Sequence, residues 1–238
     1  MQRISSKALA QLPLGLSLKD DASFENFYPG QNGEIVAALK KAAAGCGEKI
    51  IYLCGSRGQG LSHLLQASCH EAARHKITAI YLPLSDLLTQ SPEMLLGIES
   101  LQLICIDDLQ LLSKSPEWEE EIFHLFNRAH DVGGSVIFAG NDLPKSLQLS
   151  LPDLVSRLAW GVVYQLHPLS DAEKINVLIL RAQARGITLS EEVGKYILSH
   201  CPRHMTTLLA ALDALDKASL AAQRRLTIPF VREVLDIT

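Results

Sequence analysis

Short, continuously apolar runs alternate with amphipathic segments through the N-terminal part of the chain. The apolar runs predict strands at 50–54, 79–82, 101–106 and 135–139. Helical periodicity, with suitable start and stop residues, predicts helices at 34–44, 61–75 and 117–132. Strands that are apolar on both sides and alternate with helices are typical of a parallel sheet covered on both faces. We therefore predict an α/β fold for this part of the chain.

The pattern becomes wholly helical after residue 167. Helices are predicted at 171–185, 190–200, 204–222 and 228–236, with Ser170 and Ser190 as N-caps and Gly186 as a stop. At the other end, Pro13 and Gly15 interrupt any regular period. The predicted organisation is a flexible tail (1–21), an α/β base (22–167) and a small all-α subdomain (168–238).

Composition excludes several classes of protein. The 238 residues are 47% hydrophobic, which is ample for a core, and their net charge of −4 lacks the basic surface with which proteins grip DNA. No apolar run approaches the roughly 18 residues that span a bilayer, so we expect a soluble, cytoplasmic protein. The five cysteines have no metal-ligand spacing, which favours reduced thiols.

A glycine-rich segment follows the first predicted strand and opens a helix. Its residues 55–62 fit the phosphate-loop pattern G-x-x-x-x-G-K-[ST], except that Leu61 replaces the lysine. Backbone N–H groups and the helix dipole bind phosphate there without a charged side chain. A plain strand-to-helix turn is the simpler alternative, and a compensating role for Arg57 stays open. The candidate nucleotide residues are Gly55, Gly58, Gln59, Gly60, Leu61, Ser62 and His63.

Carboxylates and an amide follow two later strands. Asp107 and Asp108 end an apolar run as in a Walker B strand, where the first carboxylate orders Mg²⁺ and the second polarises the attacking water. Asn141 follows the next strand, where it is placed to contact a γ-phosphate. Each has a simpler interpretation, solvated carboxylates after a strand or a turn residue, and for Asn141 taken alone the turn is favoured.

Two arginines complete the candidate set. Arg157 lies on a short predicted helix before the all-α part, and Arg203 begins one of the later helices. An exposed arginine is usually a solvated surface charge, but a guanidinium presented to phosphates stabilises transferring charge better than lysine does.

These elements follow one another in the order of an AAA+ ATPase module, which the chain resembles. It is similar, more closely, to the DnaA-related regulators of the Hda family, over nearly its whole length. The segments that carry this resemblance are Phe24-x-x-Phe27-Tyr28-Pro29-Gly30, Ser62-His63-Leu64-Leu65, Leu151-Pro152-Asp153-Leu154-x-Ser156-Arg157-Leu158 and Thr227-Ile228-Pro229-Phe230-Val231. The resemblance implies an AAA+ base with a parallel sheet, followed by a helical lid.

The resemblance also implies a ligand. ADP is expected in the glycine loop, with other adenine or cytidine nucleotides left open, and Ser62 and Asp107 would hold Mg²⁺. Tyr28 and Arg203 match further nucleotide positions, and Asp107, Asp108 and Asn141 match catalytic positions of the family. Because Leu61 replaces the lysine, we expect weak intrinsic ATP turnover.

The partners implied by the resemblance are DnaA and a sliding clamp. Arg157 would be an arginine finger presented in trans to ATP held by DnaA, the replication initiator, which would make the chain a negative regulator of initiation at the replisome. The residues similar to the family's peptide for the clamp (the β subunit of DNA polymerase III) are Gln11, Leu12, Leu14 and Leu16. DNA would be reached only through the clamp, and no helix-turn-helix pattern follows the lid.

Two other functions remain open from the sequence. The chain could be an ATPase of DnaA or clamp-loader type that hydrolyses its own ATP, with Arg57 or another cation in place of the lysine, or a nucleotide-free adaptor. A homodimer or a higher oligomer is also open.

Overall fold

A computed structural model describes residues 18–19 and 21–236. They form two compact units, which meet in the chain between Leu166 and His167 and which we describe separately. Four residues of the predicted clamp peptide, Gln11, Leu12, Leu14 and Leu16, lie outside the described residues.

The first unit contains a five-stranded parallel sheet in the order β2-β3-β4-β1-β5. Its strands are β1 (Ile50–Cys54), β2 (Ala79–Pro83), β3 (Leu103–Asp107), β4 (Ser135–Gly140) and β5 (Val162–Gln165). The helices of this unit are α1 (Gly33–Ala43), α2 (Leu61–Arg74), α3 (Leu84–Leu87), α4 (Pro116–Asp131) and α5 (Pro152–Leu158), and a 3₁₀ segment spans Leu109–Lys114. The predicted α/β class is confirmed.

Each face of the sheet has its own hydrophobic core. In β1, Tyr52 points to the core that contains α4 and α5, whereas Ile51 and Leu53 point to the core that contains α1 and α2. Successive side chains of a strand face opposite sides, so a strand covered on both sides must be apolar at every position. The edge strand β5 is half-buried in alternation, which is why its short sequence did not stand out.

The described chain already packs at Leu18, four residues earlier than the predicted start of the base. Leu18 packs against the core of α1 and α2, and the Lys19 N–H donates to Gln66 Oε1 at 2.9 Å. His70 Nε2 lies 3.1 Å from the Lys19 carbonyl oxygen. Leu18 and Lys19 therefore belong to the base rather than to the tail.

The second unit is a group of four helices around one apolar core, α6 (Asp171–Ala184), α7 (Glu191–His200), α8 (Met205–Ala222) and α9 (Ile228–Val234). Both predicted N-caps are confirmed: Ser170 forms a capping box with Glu173, and Ser190 accepts from the Val193 N–H. Gly186, with φ 75°, follows α6 as predicted. No helix within the described residues combines the length and apolarity needed to cross a membrane.

The capping box yields a test of stability in the second unit. We expect Ser170→Ala to lower the free energy of unfolding of that unit by about 1 kcal/mol, because the first turn of α6 loses its side-chain acceptor. Chemical denaturation and amide exchange in α6 measure the effect. Thr206→Ala, at an exposed position in the first turn of α8, is the control and should change stability by less than about 0.5 kcal/mol. Equal effects of the two substitutions would show that the cap contributes nothing.

Candidate functional site

The glycine loop lies at the carboxyl end of β1, an inner strand of the sheet between β4 and β5. Residues 55–60 connect β1 to α2, and Gly58 and Gly60 adopt positive φ angles of 85° and 99°. At Gly60 a Cβ would lie 2.8 Å from Phe27 Cε2, so both the backbone angle and the space require glycine. No side chain caps the first turn of the 14-residue helix α2. Its first N–H groups therefore have no side-chain acceptor, which is the arrangement that a phosphate site at a helix N-terminus requires.

The loop is braced by its own residues. The Ser56 N–H donates to Gln59 Oε1 at 2.8 Å, and a Cβ at Gly55 would overlap that same amide oxygen. Phe27 and His63 flank the loop with ring centroids 5.7 Å apart, and His63 Nε2 lies 2.8 Å from the Ser23 carbonyl oxygen. The loop shape is therefore set by contacts within the chain.

Tyr28 follows the flanking Phe27 directly and is half-buried. The predicted nucleotide residues of the base, from Tyr28 through the loop to His63, thus lie in two neighbouring segments that meet at Phe27, Gly60 and His63.

Asp107 joins the loop to the neighbouring strands. Its side chain is 2% exposed, and it accepts hydrogen bonds from the Tyr81 hydroxyl at 2.8 Å and from the Asp108 N–H at 2.8 Å. The Ser62 side chain, in the first turn of α2, also interacts with this carboxylate. Burial raises the pKa of Asp107, while the interactions with Ser62 and Tyr81 act in the opposite direction. Ser62 and Asp107, predicted from separate motifs, thus meet.

The residues Asp108 and Asn141 are linked by one side chain. Asp108 has φ 62° and leaves the line of β3, and Gln110 Nε2 donates to Asp108 Oδ1 at 2.9 Å. The same amide accepts the Asn141 N–H through Oε1 at 3.1 Å. The Tyr52 hydroxyl donates to the Asp142 carbonyl oxygen at 2.7 Å, which ties the turn that contains Asn141 to β1.

Sequence reasoning missed the three supporting residues Tyr52, Tyr81 and Gln110. The two tyrosines stand in apolar strands, where an aromatic residue is expected for packing alone. A signal was available for Tyr81, since a hydroxyl near the carboxyl end of a strand beside β3 can reach Asp107. Gln110 offered none, because its partners depend on the bend at Asp108.

Arg157 lies on α5 and has aromatic neighbours. Its guanidinium carbon is 4.7 Å from the ring centroid of Trp160 and 5.8 Å from that of Phe126. In the described part of the chain, no carboxylate forms an ion pair with Arg157 and no hydrogen bond links it to the phosphate loop. A cavity of about 310 Å³ opens beside it, and Trp160 is 55% exposed. The cavity is lined by Phe123, Asp153, Ser156, Arg157 and Trp160.

Arg203 belongs to the second unit, two residues before α8. Its Nη1 is 2.8 Å from Asp171 Oδ2 at the start of α6, so its guanidinium already has an anionic partner. The ion pair is exposed and of small energetic value.

Comparison with protein families assigns both units. The family model of the bacterial DnaA ATPase domain matches residues 18–165. The model of the Hda lid domain matches residues 171–235.

Solved structures show the same fold. Domain III of the replication initiation protein DnaA from Thermotoga maritima is 24% identical, with a TM-score of 0.80, and the match covers 92% of this chain and 98% of that one. AMPPCP-bound DnaA from Aquifex aeolicus is 24% identical, with a TM-score of 0.68 and coverage of 85% and 66%. The Thermotoga maritima RuvB branch migration motor is 16% identical, with a TM-score of 0.69 and coverage of 90% and 71%.

The DnaA ATPase model covers more than half of the chain, and the lid model covers most of the remainder. The parallel sheet with its phosphate loop and the four-helix second unit agree with both matches. The chain therefore belongs to the DnaA-related AAA+ proteins of the Hda family.

Proposed function

We propose that this protein is a negative regulator of replication initiation that stimulates ATP hydrolysis by DnaA. In this proposal it holds ADP in its own loop, is tethered to the sliding clamp by its tail and presents Arg157 to ATP in the DnaA site. The observation that carries the proposal is the state of Arg157, a guanidinium stacked on aromatic rings beside an open cavity.

An arginine finger must reach a phosphate without first leaving a stronger partner. Arg157 has no carboxylate partner in the described residues, and the ring of Trp160 holds its planar guanidinium in place. Stacking reduces the side-chain entropy lost on reaching the phosphate, while the positive charge stays available. An arginine supplied in trans raises the rate of nucleotide hydrolysis by about 10³–10⁵.

The chain's own nucleotide would serve a structural role. Backbone N–H groups of residues 58–62 can surround a diphosphate, but Leu61 provides no charge for a γ-phosphate. Two DnaA structures with this fold carry AMPPCP, which supports an adenine nucleotide here. Tyr28, His63 and Arg203 are the further residues that we assign to the nucleotide, with Arg203 exchanging Asp171 for a phosphate.

A magnesium ion fits the donors of this site. The hydroxyl of Ser62 and the carboxylate of Asp107 are oxygen ligands, and the two side chains interact with each other. When bound there, Mg²⁺ would neutralise phosphate charge.

A second candidate function is hydrolysis of the chain's own ATP. Gln110 holds Asp108 near the turn of Asn141, as a site that orients an attacking water requires. We favour the regulator because the phosphate loop lacks its lysine.

For the nucleotide proposal, we expect ADP to raise the melting temperature of the native chain and to have no such effect on Gly60→Ala. That substitution places a Cβ against Phe27 in the loop itself. Gly97→Ala is the matched control, since Gly97 has a similar φ of 91° with open space around its Cβ position. The control should lose stability but keep the shift caused by ADP.

The same samples separate the two candidate functions. Little ATP hydrolysis by the isolated chain is expected. Rapid ATP hydrolysis by the isolated chain that is lost in Asp107→Ala would contradict the regulator proposal and support the ATPase alternative. No ADP-induced shift in the native chain would favour a nucleotide-free adaptor.

For the arginine finger, we expect Arg157→Ala to abolish stimulation of DnaA ATP hydrolysis while ADP binding and melting temperature are retained. Arg157→Lys should recover little, because lysine lacks the planar fork of donors. Arg225→Ala, at an exposed position in the second unit, is the control and should stimulate normally. Phosphate release from ATP-loaded DnaA with loaded clamps measures the effect, and full stimulation by Arg157→Ala would refute the assignment.

For the tail, we expect the double substitution Leu12→Ala and Leu14→Ala to remove binding to the clamp, because short tethers bind through a few apolar side chains. ADP binding should be unchanged, since the nucleotide residues lie in the base. Clamp affinity can be measured with the immobilised β subunit. Undiminished affinity would show that the chain reaches the clamp through another surface.

A further inference from the structure

Glu119, in the first turn of α4, is a buried carboxylate with no part in the nucleotide site. It is 1% exposed, and among the described residues only Asp107 is another buried side chain that carries a charge. Burial of a carboxylate is costly unless donors replace the lost water. The groups that donate hydrogen bonds to Glu119 therefore indicate which part of the structure the buried carboxylate stabilises.

Within the described part of the chain, Glu119 accepts three hydrogen bonds, and all come from the two residues that precede α5. Oε1 accepts from the Ser150 N–H at 3.1 Å and from the Ser150 hydroxyl at 3.2 Å. Oε2 accepts from the Leu151 N–H at 2.8 Å. The carboxylate thus binds the chain entering α5 with both oxygens.

The helix α5 depends on this external anion because its own sequence provides no N-cap acceptor. Its N-cap residue is Leu151, which forms no side-chain cap, and Pro152 has no N–H to donate. A negative charge beside a helix N-terminus is favourable in addition to the hydrogen bonds. Glu119 therefore fixes the start of α5 to α4.

Arg157 is carried by the same short helix. Only seven residues form α5, and Leu154 and Leu158 hold its inner side in the core. The guanidinium position above Trp160 follows from the position and rotation of those two turns.

We propose that Glu119 is a positioning residue for Arg157, an inference that rests on the proposed arginine finger. By binding Ser150 and Leu151, Glu119 sets the height and rotation of α5, and hence the point at which the guanidinium leaves the surface. A misplacement of about 1 Å in a reacting group can lower a rate by about 10²-fold. The hydrogen bonds of Glu119 go to Ser150 and Leu151 and not to a candidate nucleotide residue, so its effect would pass through the helix.

The test variant is Glu119→Gln, which keeps the shape of the side chain. One amide oxygen can still accept from Ser150, but the amide NH₂ faces the Leu151 N–H as a second donor. Glu120→Gln is the matched control on the same helix, because Glu120 is 73% exposed and its one ion pair among the described residues is with His124. Ser150→Ala is a milder second variant that removes one of the three bonds.

A first measurement needs no partner protein. The chain has two tryptophans, so 5-fluorotryptophan labelling gives two ¹⁹F signals, and their solvent isotope shifts distinguish exposed Trp160 from buried Trp118. Arg157→Ala defines the Trp160 signal without the stacked guanidinium. We expect Glu119→Gln to move this signal toward that position and Ser150→Ala to move it less. Glu120→Gln should not move it.

A second measurement uses ATP-loaded DnaA and separates maximal stimulation from the half-saturating concentration of this protein. We expect Glu119→Gln to lower maximal stimulation about tenfold with little change in half-saturation.

The outcomes separate this inference from the proposed function. An unmoved Trp160 signal in a folded Glu119→Gln, or unchanged maximal stimulation, would overturn the positioning role. If the native chain fails to stimulate DnaA, the proposed function fails, and the ¹⁹F signal alone then decides whether Glu119 sets the place of Arg157.

Discussion

The hydrogen bonds accepted by Asp107 hold the candidate nucleotide site together. They come from Tyr81 on β2 and from the backbone of Asp108, and Ser62 at the start of α2 lies close enough to the carboxylate to lower its pKa. A buried carboxylate cannot stay ionised without such donors, and here each donor belongs to a different part of the site. The phosphate loop, the acidic strand and its neighbour are therefore fixed relative to one another by one charge.

The second buried carboxylate follows the same rule at the other end of one continuous segment. Between Asp107 and Glu119 the chain forms a 3₁₀ segment and enters α4. Both carboxylates are satisfied by N–H and O–H donors and not by cations. Among the described residues, therefore, neither buried carboxylate pairs with Arg157, whose guanidinium stacks on Trp160.

Much of the fold was predictable because two-sided burial makes the inner strands β1, β3 and β4 largely apolar, the edge strand β2 is apolar as well, and caps and glycines mark the helix ends. The edge strand β5 is covered less and lacks that signal. For the candidate site, Ser62, Asp107 and Asn141 could be proposed from the sequence because their motifs are local. The bonds of Tyr81 and Gln110 join distant parts of the chain.

Glu119 shows this limit most clearly. Residues 117–121 contain four glutamates, and a sequence pattern treats them alike as the acidic first turns of a helix. Only the packing of the loop before α5 distinguishes Glu119, which is buried, from Glu120, which is exposed. The motif around Arg157 can be recognised in the sequence. The hydrogen bonds to Glu119 that hold the start of α5 cannot.

The attachment of Leu18 and Lys19 to α2 determines how short the proposed clamp tether is. Leu16, the last residue of the proposed peptide, is separated from Leu18 by two residue steps, which span at most about 7 Å. A tether of that length would keep the base against the clamp face and limit the directions in which it can turn. Lengthening it would widen the angular range at the expense of effective concentration. The short tether would therefore restrict which DnaA molecules near the clamp Arg157 can reach.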